Sequence, residues 1–269
     1  MKKRLDLTLY EQGLTSSREK AQALIMAGLV YVNGVKQTKS GFQVGEKDKL
    51  ELRENPIPYV SRGGLKLKKA IDVFGLDLKD KLCLDVGAST GGFTDCMLQH
   101  GARKVYAVDV GYNQLAWELR ANPKVISMEK TNFRHATGEL FEEPFDFASV
   151  DVSFISLSNI LPTLASVMNE NAMAVCLIKP QFEAGREKVG KKGVVRDEQT
   201  HIEVIDKILT LAFDNSFNAL KLDYSPIKGP QGNIEYLLLI EKTSDSPNNY
   251  VKNTEETVKT AHLSLNGGE

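Results

Sequence analysis

Apolar positions recur along this chain in two rhythms, and the change from one to the other marks its organisation. In the first 54 residues the pattern is short and mixed. Leu5, Leu7, Leu9 and Tyr10 open it, followed by Gly13. Ser16 and Glu19 have capping-box spacing, which predicts a helix from Ser17. Ala21, Leu24 and Ile25 give that helix an apolar stripe, Arg18 and Lys20 sit in its exposed first turn, and Gly28 is placed to stop it. Leu29–Val32 and Val35 then flank Asn33-Gly34, a hairpin signal, and Asp48–Leu52 alternates like a further strand.

Beyond residue 63 the rhythm becomes a regular alternation. Helices are predicted near 64–74, 91–99, 113–120, 157–168 and 198–213. Strands are predicted at 81–86, 104–109, 124–128, 145–151, 172–178, 218–224 and 234–241. Such alternation, with apolar β-branched strands, indicates an α/β fold with a doubly wound, mostly parallel sheet. No helix separates the final two strands, which predicts an antiparallel last strand. The expected organisation is a small α+β domain over 1–54, a stiff linker over 55–62 containing Pro56 and Pro58, and a large α/β domain over 63–242. Residues 243–269, poor in large apolar side chains, are expected to be disordered.

Composition narrows the class. Hydrophobic residues make up 42% and charged residues 26% of 269, values that allow a buried core. The longest apolar run, Ala172–Ile178, is about a third of a membrane span. Three scattered cysteines and four dispersed histidines make neither a disulfide framework nor a metal site, so no metal is expected and a reduced, cytoplasmic setting is. The net charge of −1 conceals an asymmetry: residues 1–72 carry 14 Lys and Arg against 8 Asp and Glu, and the remainder 20 against 27. A basic front on an acidic body points to a polyanionic partner.

The candidate chemistry lies at strand ends. The first strand of the large domain ends Asp85-Val-Gly87, and Ala88-Ser89-Thr-Gly91-Gly92-Phe93 leads into a helix. A glycine-containing strand-to-helix turn lets a ligand approach the backbone and the free N–H groups of the helix start. Asp109 closes the next strand, where a ribose diol is held in dinucleotide-binding folds. The spacing is not that of a pyrophosphate loop. An acid before the first glycine suits a cationic, amine-bearing ligand, and S-adenosylmethionine is one. Asp151 closes the fourth strand, Lys179 closes the fifth, and Glu235 begins the last, which would bring all three to the carboxyl edge of the sheet.

These segments carry a resemblance. Asp85–Thr94, Val150-Asp-Val-Ser-Phe-Ile-Ser-Leu157, Lys179-Pro-Gln-Phe-Glu-Ala-Gly-Arg186 and Tyr59-Val-Ser-Arg-Gly-Gly-Leu-Lys-Leu67 resemble the TlyA family of ribosomal RNA 2′-O-methyltransferases, some members of which are labelled hemolysins. Residues from 63 resemble the wider FtsJ methyltransferases, and 1–54 an alpha-L RNA-binding module. The resemblance covers residues 1–242. It implies a Rossmann-like methyltransferase sheet, S-adenosylmethionine as cofactor, and a catalytic tetrad at Lys66, Asp151, Lys179 and Glu235. Lys66 is supplied by the resemblance alone. Asp85, Gly87, Ala88, Ser89, Gly91, Phe93, Asp109, Asn132 and Asp151 are then the expected cofactor-binding residues.

The expected partner is ribosomal RNA or a ribosomal subunit, and not a membrane. Arg4, Arg18 and Lys20 on the front module, Arg62 near the boundary, and Arg186, Lys188, Lys191, Lys192 and Arg196 after the fifth strand are its candidate contacts. Gly185, Gly190 and Gly193 would make the last loop mobile. Three other readings stand beside this one: a membrane-lytic protein, an inactive RNA-binding assembly factor, and a small-molecule methyltransferase.

Overall fold

The computed structural model describes residues 2–15, 17–26, 28–45, 47–52 and 57–266. The chain divides into two compact units, Met1–Pro58 and Tyr59–Glu269.

The first unit contains β1 (Lys3–Arg4), α1 (Leu5–Glu11), α2 (Arg18–Met26), β2 (Val30–Val32), β3 (Val35–Gln37), β4 (Gln43–Val44) and β5 (Leu50–Leu52). Leu5 and Leu9 of α1 close on Ala21 and Ile25 of α2 and on Val30, Val32 and Val44. The hairpin forms where Asn33-Gly34 predicts it: both residues take positive φ (52° and 78°) and Val32 pairs with Val35. The cap of α2 differs from the expectation. The helix begins at Arg18, and the Ser17 hydroxyl accepts from the Lys20 N–H at 3.1 Å. Ser16, the expected cap, lies outside the described residues.

The second unit runs α3 (Gly64–Phe74), β6 (Leu82–Val86), α4 (Gly92–Gln99), β7 (Lys104–Val108), α5 (Trp117–Arg120), β8 (Val125–Met128), β9 (Phe145–Val150), α6 (Leu161–Val167), β10 (Met168–Ile178), α7 (Pro180–Glu183), α8 (Glu198–Asp214), β11 (Phe217–Tyr224), β12 (Tyr236–Lys242) and α9 (Thr254–Asn266). Its seven strands form one sheet in the order β11-β12-β10-β9-β6-β7-β8. Six run parallel and β12 runs antiparallel between β10 and β11, as the missing helix before it predicts. The order reverses at β6, which has β7 on one side and β9 on the other. The ligand crevice of such a sheet opens at that reversal, outside the strands' carboxyl ends.

Several expectations are corrected. The helix over 113–120 shrinks to α5 because Asn113 takes a left-handed φ of 57° and Ala116 is extended. The helix over 157–168 splits into a 3-10 turn, Leu157–Asn159, and α6, where Pro162 starts a new helix better than it continues one. Tyr59, expected in the linker, is buried in the second unit, and the Val60 N–H donates to Asp95 Oδ2 at 2.8 Å. The linker's Asn55 and Pro56 lie outside the described residues. The tail, expected to be disordered, is ordered over its described residues, 243–266. α9 buries Val258 and Ala261, with Val251 before it, in the same core as α8 and β11. His262 Nε2 lies 3.3 Å from Nδ1 of His201, a fully buried side chain whose pKa burial pushes down to about 4. All three cysteines are free and buried, their thiols pushed up to about 12.

Candidate active site

The glycine turn is shaped by what lies against it. Gly87 has a φ of +86°, and a Cβ there would fall 2.5 Å from the carbonyl oxygen of Asp151. Only glycine lets the β6 turn and the end of β9 come so close. The Asp151 N–H donates back to Val86 O at 2.9 Å, locking the two strand ends together.

Asp109 organises the same turn from the other side. Its Oδ2 accepts from the Ser89 N–H at 2.8 Å and its Oδ1 from the Gly111 N–H at 2.7 Å. Each carboxylate oxygen retains capacity for a second donor. Asp109 lines a crevice of about 450 Å³ together with Gly87, Ser89, Asn132, Asp151 and the exposed Phe154. Asn132 caps a 3-10 turn at its wall, accepting from the Arg134 N–H.

Asp85 departs from the expectation. It is fully buried: Oδ2 accepts from the Thr94 hydroxyl at 2.6 Å and Oδ1 from the Ser149 hydroxyl at 3.0 Å. Burial pushes its pKa up to about 6, and the hydrogen bonds from Thr94 and Ser149 limit that rise. The side chain presents no surface to a ligand. It ties β6 to α4 and β9 from behind the turn.

Beside the first crevice lies a second, of about 420 Å³, where the four tetrad candidates meet. They form a chain of alternating charge. Lys66 Nζ, on the first turn of α3, is 2.6 Å from Glu235 Oε2 and 3.6 Å from Asp151 Oδ2. Lys179 Nζ, at the end of β10, is 2.5 Å from Asp151 Oδ1 and donates to the Ser153 hydroxyl at 3.1 Å. Lys66, Lys179 and Glu235 are buried and Asp151 is partly exposed. Two ammonium groups and two carboxylates balance, which is what allows four charges below the surface. An ammonium has three donors. Lys179 spends two on Asp151 and Ser153, which leaves one for a substrate oxygen in the crevice.

Gly87, Ser89, Asp151 and Ser153 line both crevices, so the two are continuous at the β6–β9 reversal. Ala88, Phe93 and Arg62 line the second. Gly91 gives α4 its start, with a φ of +98°.

The expected RNA contacts are not brought into the crevices, Arg62 excepted. Arg4 and Arg18 both bind the fully buried Asp6, each with an Nε–O distance of 3.0 Å, and their side chains remain 46% exposed. The paired guanidiniums hold the Asp6 carboxyl far below the usual range. Lys20 is exposed. Arg186, Lys191, Lys192 and Arg196 are exposed, and Lys188 pairs with Glu203. The loop they occupy is pinned at its base rather than free: Asn233, buried, accepts from the Val195 N–H at 3.0 Å and donates to Gly193 O at 2.8 Å.

Sequence reading missed three positions. Ser153 and Asn233 each stand two residues from a tetrad member, a spacing that could have found them. Glu183, buried at the end of α7, accepts from the Ser156 hydroxyl and the Leu157 N–H, both at 2.7 Å, and fixes the loop after Asp151.

A seven-stranded sheet in this order, with a glycine turn after its first strand and an acid after its second, defines an α/β methyltransferase. A model of FtsJ-like methyltransferases matches residues 59–242, and one of the S4 domain matches residues 3–50. The chain belongs to the FtsJ-like methyltransferase family, in its TlyA branch. It is 40% identical to the 16S/23S rRNA (cytidine-2′-O)-methyltransferase TlyA of Mycobacterium tuberculosis, over 90% of this chain and 91% of that one. It is 51% identical to YqxC of Bacillus subtilis, provisionally named an rRNA methyltransferase, over 88% of this chain and 85% of that one. A solved structure from Streptococcus thermophilus, named as a hemolysin, superposes with a TM-score of 0.79 at 49% identity, covering 100% and 99% of the two chains.

Proposed function

We propose that this chain transfers a methyl group from S-adenosylmethionine to a ribose 2′-hydroxyl of ribosomal RNA, at cytidine as in the TlyA relative. The observation that carries the proposal is the continuity of the two crevices at Gly87 and Asp151, with the Glu235–Lys66–Asp151–Lys179 chain facing the junction.

The first crevice fits the cofactor. Its volume is in the range of small-molecule sites, and the cradle at Gly87 is one that a Cβ would fill. Asp109 would accept from a ribose diol, Asn132 and Phe154 would flank the base, and the backbone of Gly87–Ser89 would receive the amino-acid end. When bound, S-adenosylmethionine supplies an electrophilic methyl group on sulfur. The residues of this chain do the rest. Lys179 offers its remaining donor to the ribose oxygen and holds it in line, and alignment of this kind is worth on the order of 7–11 kcal/mol in favourable cases. The hydroxyl surrenders its proton as the oxygen–carbon bond forms; Lys179 receives it as the neutral amine, having first passed one of its own protons to Asp151 Oδ1, 2.5 Å away. Glu235 and Lys66 fix Asp151 from behind. The S4 unit adds RNA affinity, with Arg4, Arg18 and Lys20 as phosphate contacts.

Tritiated S-adenosylmethionine offered with ribosomal subunits, with naked rRNA and with erythrocytes tests the reading. Label in RNA at a nucleotide that resists alkaline cleavage supports it. Lysis without RNA label would replace it.

A further inference from the structure

The loop that carries Glu235 has a second face. Gly229–Gly232 closes on itself, Gly232 N–H donating to Gly229 O at 2.9 Å. One side backs the tetrad: Pro230 lines the catalytic crevice, and a Cβ on Gly229 would fall 2.5 Å from Glu235 Oε1. The other side forms a separate cavity of about 440 Å³ with Val194–Arg196, just before α8, and the end of α9.

Arg196, Lys228, Gln231, Gly232, His262 and Asn266 line that cavity. No acid lines it. Among the described residues, neither Arg196 nor Lys228 has an ion-pair partner, whereas nearby Lys188 and Lys207 are paired with Glu203 and Glu183. The adjacent acids are turned to other work. Asp197 caps α8, accepting from the Thr200 N–H at 2.8 Å and its hydroxyl at 2.7 Å. Glu198 lies 3.7 Å from His262 Nδ1. Two uncommitted cations and two amides around one concave surface match the chemistry of a phosphodiester, one negative charge and several acceptor oxygens, while the His262 ring forms part of the wall with its nitrogens turned to His201 and Glu198.

We propose that this cavity is a phosphate site for the backbone of the substrate RNA, and that its occupant steadies the loop behind Glu235. The proposal rests on the RNA methyltransferase reading above and adds to it a place where the strand is held apart from the reacting ribose. It also gives the C-terminal helix a role, since α9 supplies His262 and Asn266.

The test compares the full-length Arg196→Gln, Lys228→Gln double variant with wild type and with a control, Lys79→Gln, Lys124→Gln, which removes equal charge before β6 and β8 at the opposite edge of the sheet. Binding to ribosomal subunits and to an rRNA fragment is measured across a salt series, with cofactor affinity by calorimetry as the check on folding. The expected result is a salt slope lower by about 0.7–0.9 in the site variant only, weaker RNA binding, and unchanged cofactor affinity. If the double variant does not fold, each single variant is expected to lose part of the same slope. An unchanged slope, or an equal loss in the control, overturns the phosphate site. Failure of wild type to label any RNA would instead overturn the reading on which it rests.

Discussion

Lys66 and Glu235 stand 169 positions apart, yet Lys66 Nζ and Glu235 Oε2 meet at 2.6 Å in a buried ion pair. The pair joins the first helix of the catalytic unit to its last strand. It also closes the charge chain that ends at Lys179, so its integrity sets the position of Asp151.

Removing one partner therefore leaves an uncompensated buried charge. Glu235→Ala is expected to cost about 3–5 kcal/mol of stability and to reduce turnover. Denaturant melts read the first effect; a melt equal to wild type would mean that the pair contributes no net stability.

Gly87 is the narrowest point of the site. Gly87→Ala would place a methyl group against the Asp151 carbonyl and strain a φ of +86°, at about 1–3 kcal/mol. The expected outcome is loss of both cofactor affinity and turnover, checked by calorimetry and methyl incorporation. Retention of both would show that the turn has room.

Asp109 holds two backbone N–H groups and lines the cofactor crevice. Asp109→Ala is expected to weaken S-adenosylmethionine binding by about 1.5–3 kcal/mol, the worth of a hydrogen bond to a charged group. Calorimetric affinity equal to wild type would remove Asp109 from the cofactor site.

Asp85 makes a pH prediction. Its pKa is raised from 3.8 to about 6 in the folded state, so folding favours its protonated form. The resulting stability is fully present below the unfolded value and is lost as pH rises through about 6. The loss amounts to about 3 kcal/mol. Asp85→Asn should flatten this part of the stability–pH curve between pH 4 and 7. Parallel curves for the two proteins would contradict the assignment.

How much of this was legible in the sequence differs residue by residue. Strand rhythm placed Asp151, Lys179 and Glu235 at one edge, because strand ends in a parallel sheet are fixed by where the apolar run stops. The same rhythm could not tell that Asp85, one residue before the strand's end, points inward to Thr94 and Ser149. Lys66 carried no signal of its own: on an amphipathic helix a buried lysine reads like a solvated one until its partner is seen. The tail looked disordered because its apolar residues are sparse, yet Val251, Val258 and Ala261 suffice to dock α9 on a core that already exists. Arg4 and Arg18 of the front module meet at Asp6, a partner that was not legible, since composition counts charges without showing which are paired.

The most direct test of the central claim is methyl incorporation by Lys179→Ala, measured beside its cofactor affinity. The account predicts that transfer to ribosomal RNA falls by about 10²-fold or more while S-adenosylmethionine binds as in wild type. Transfer at the wild-type rate by a protein lacking the Lys179 ammonium would contradict it.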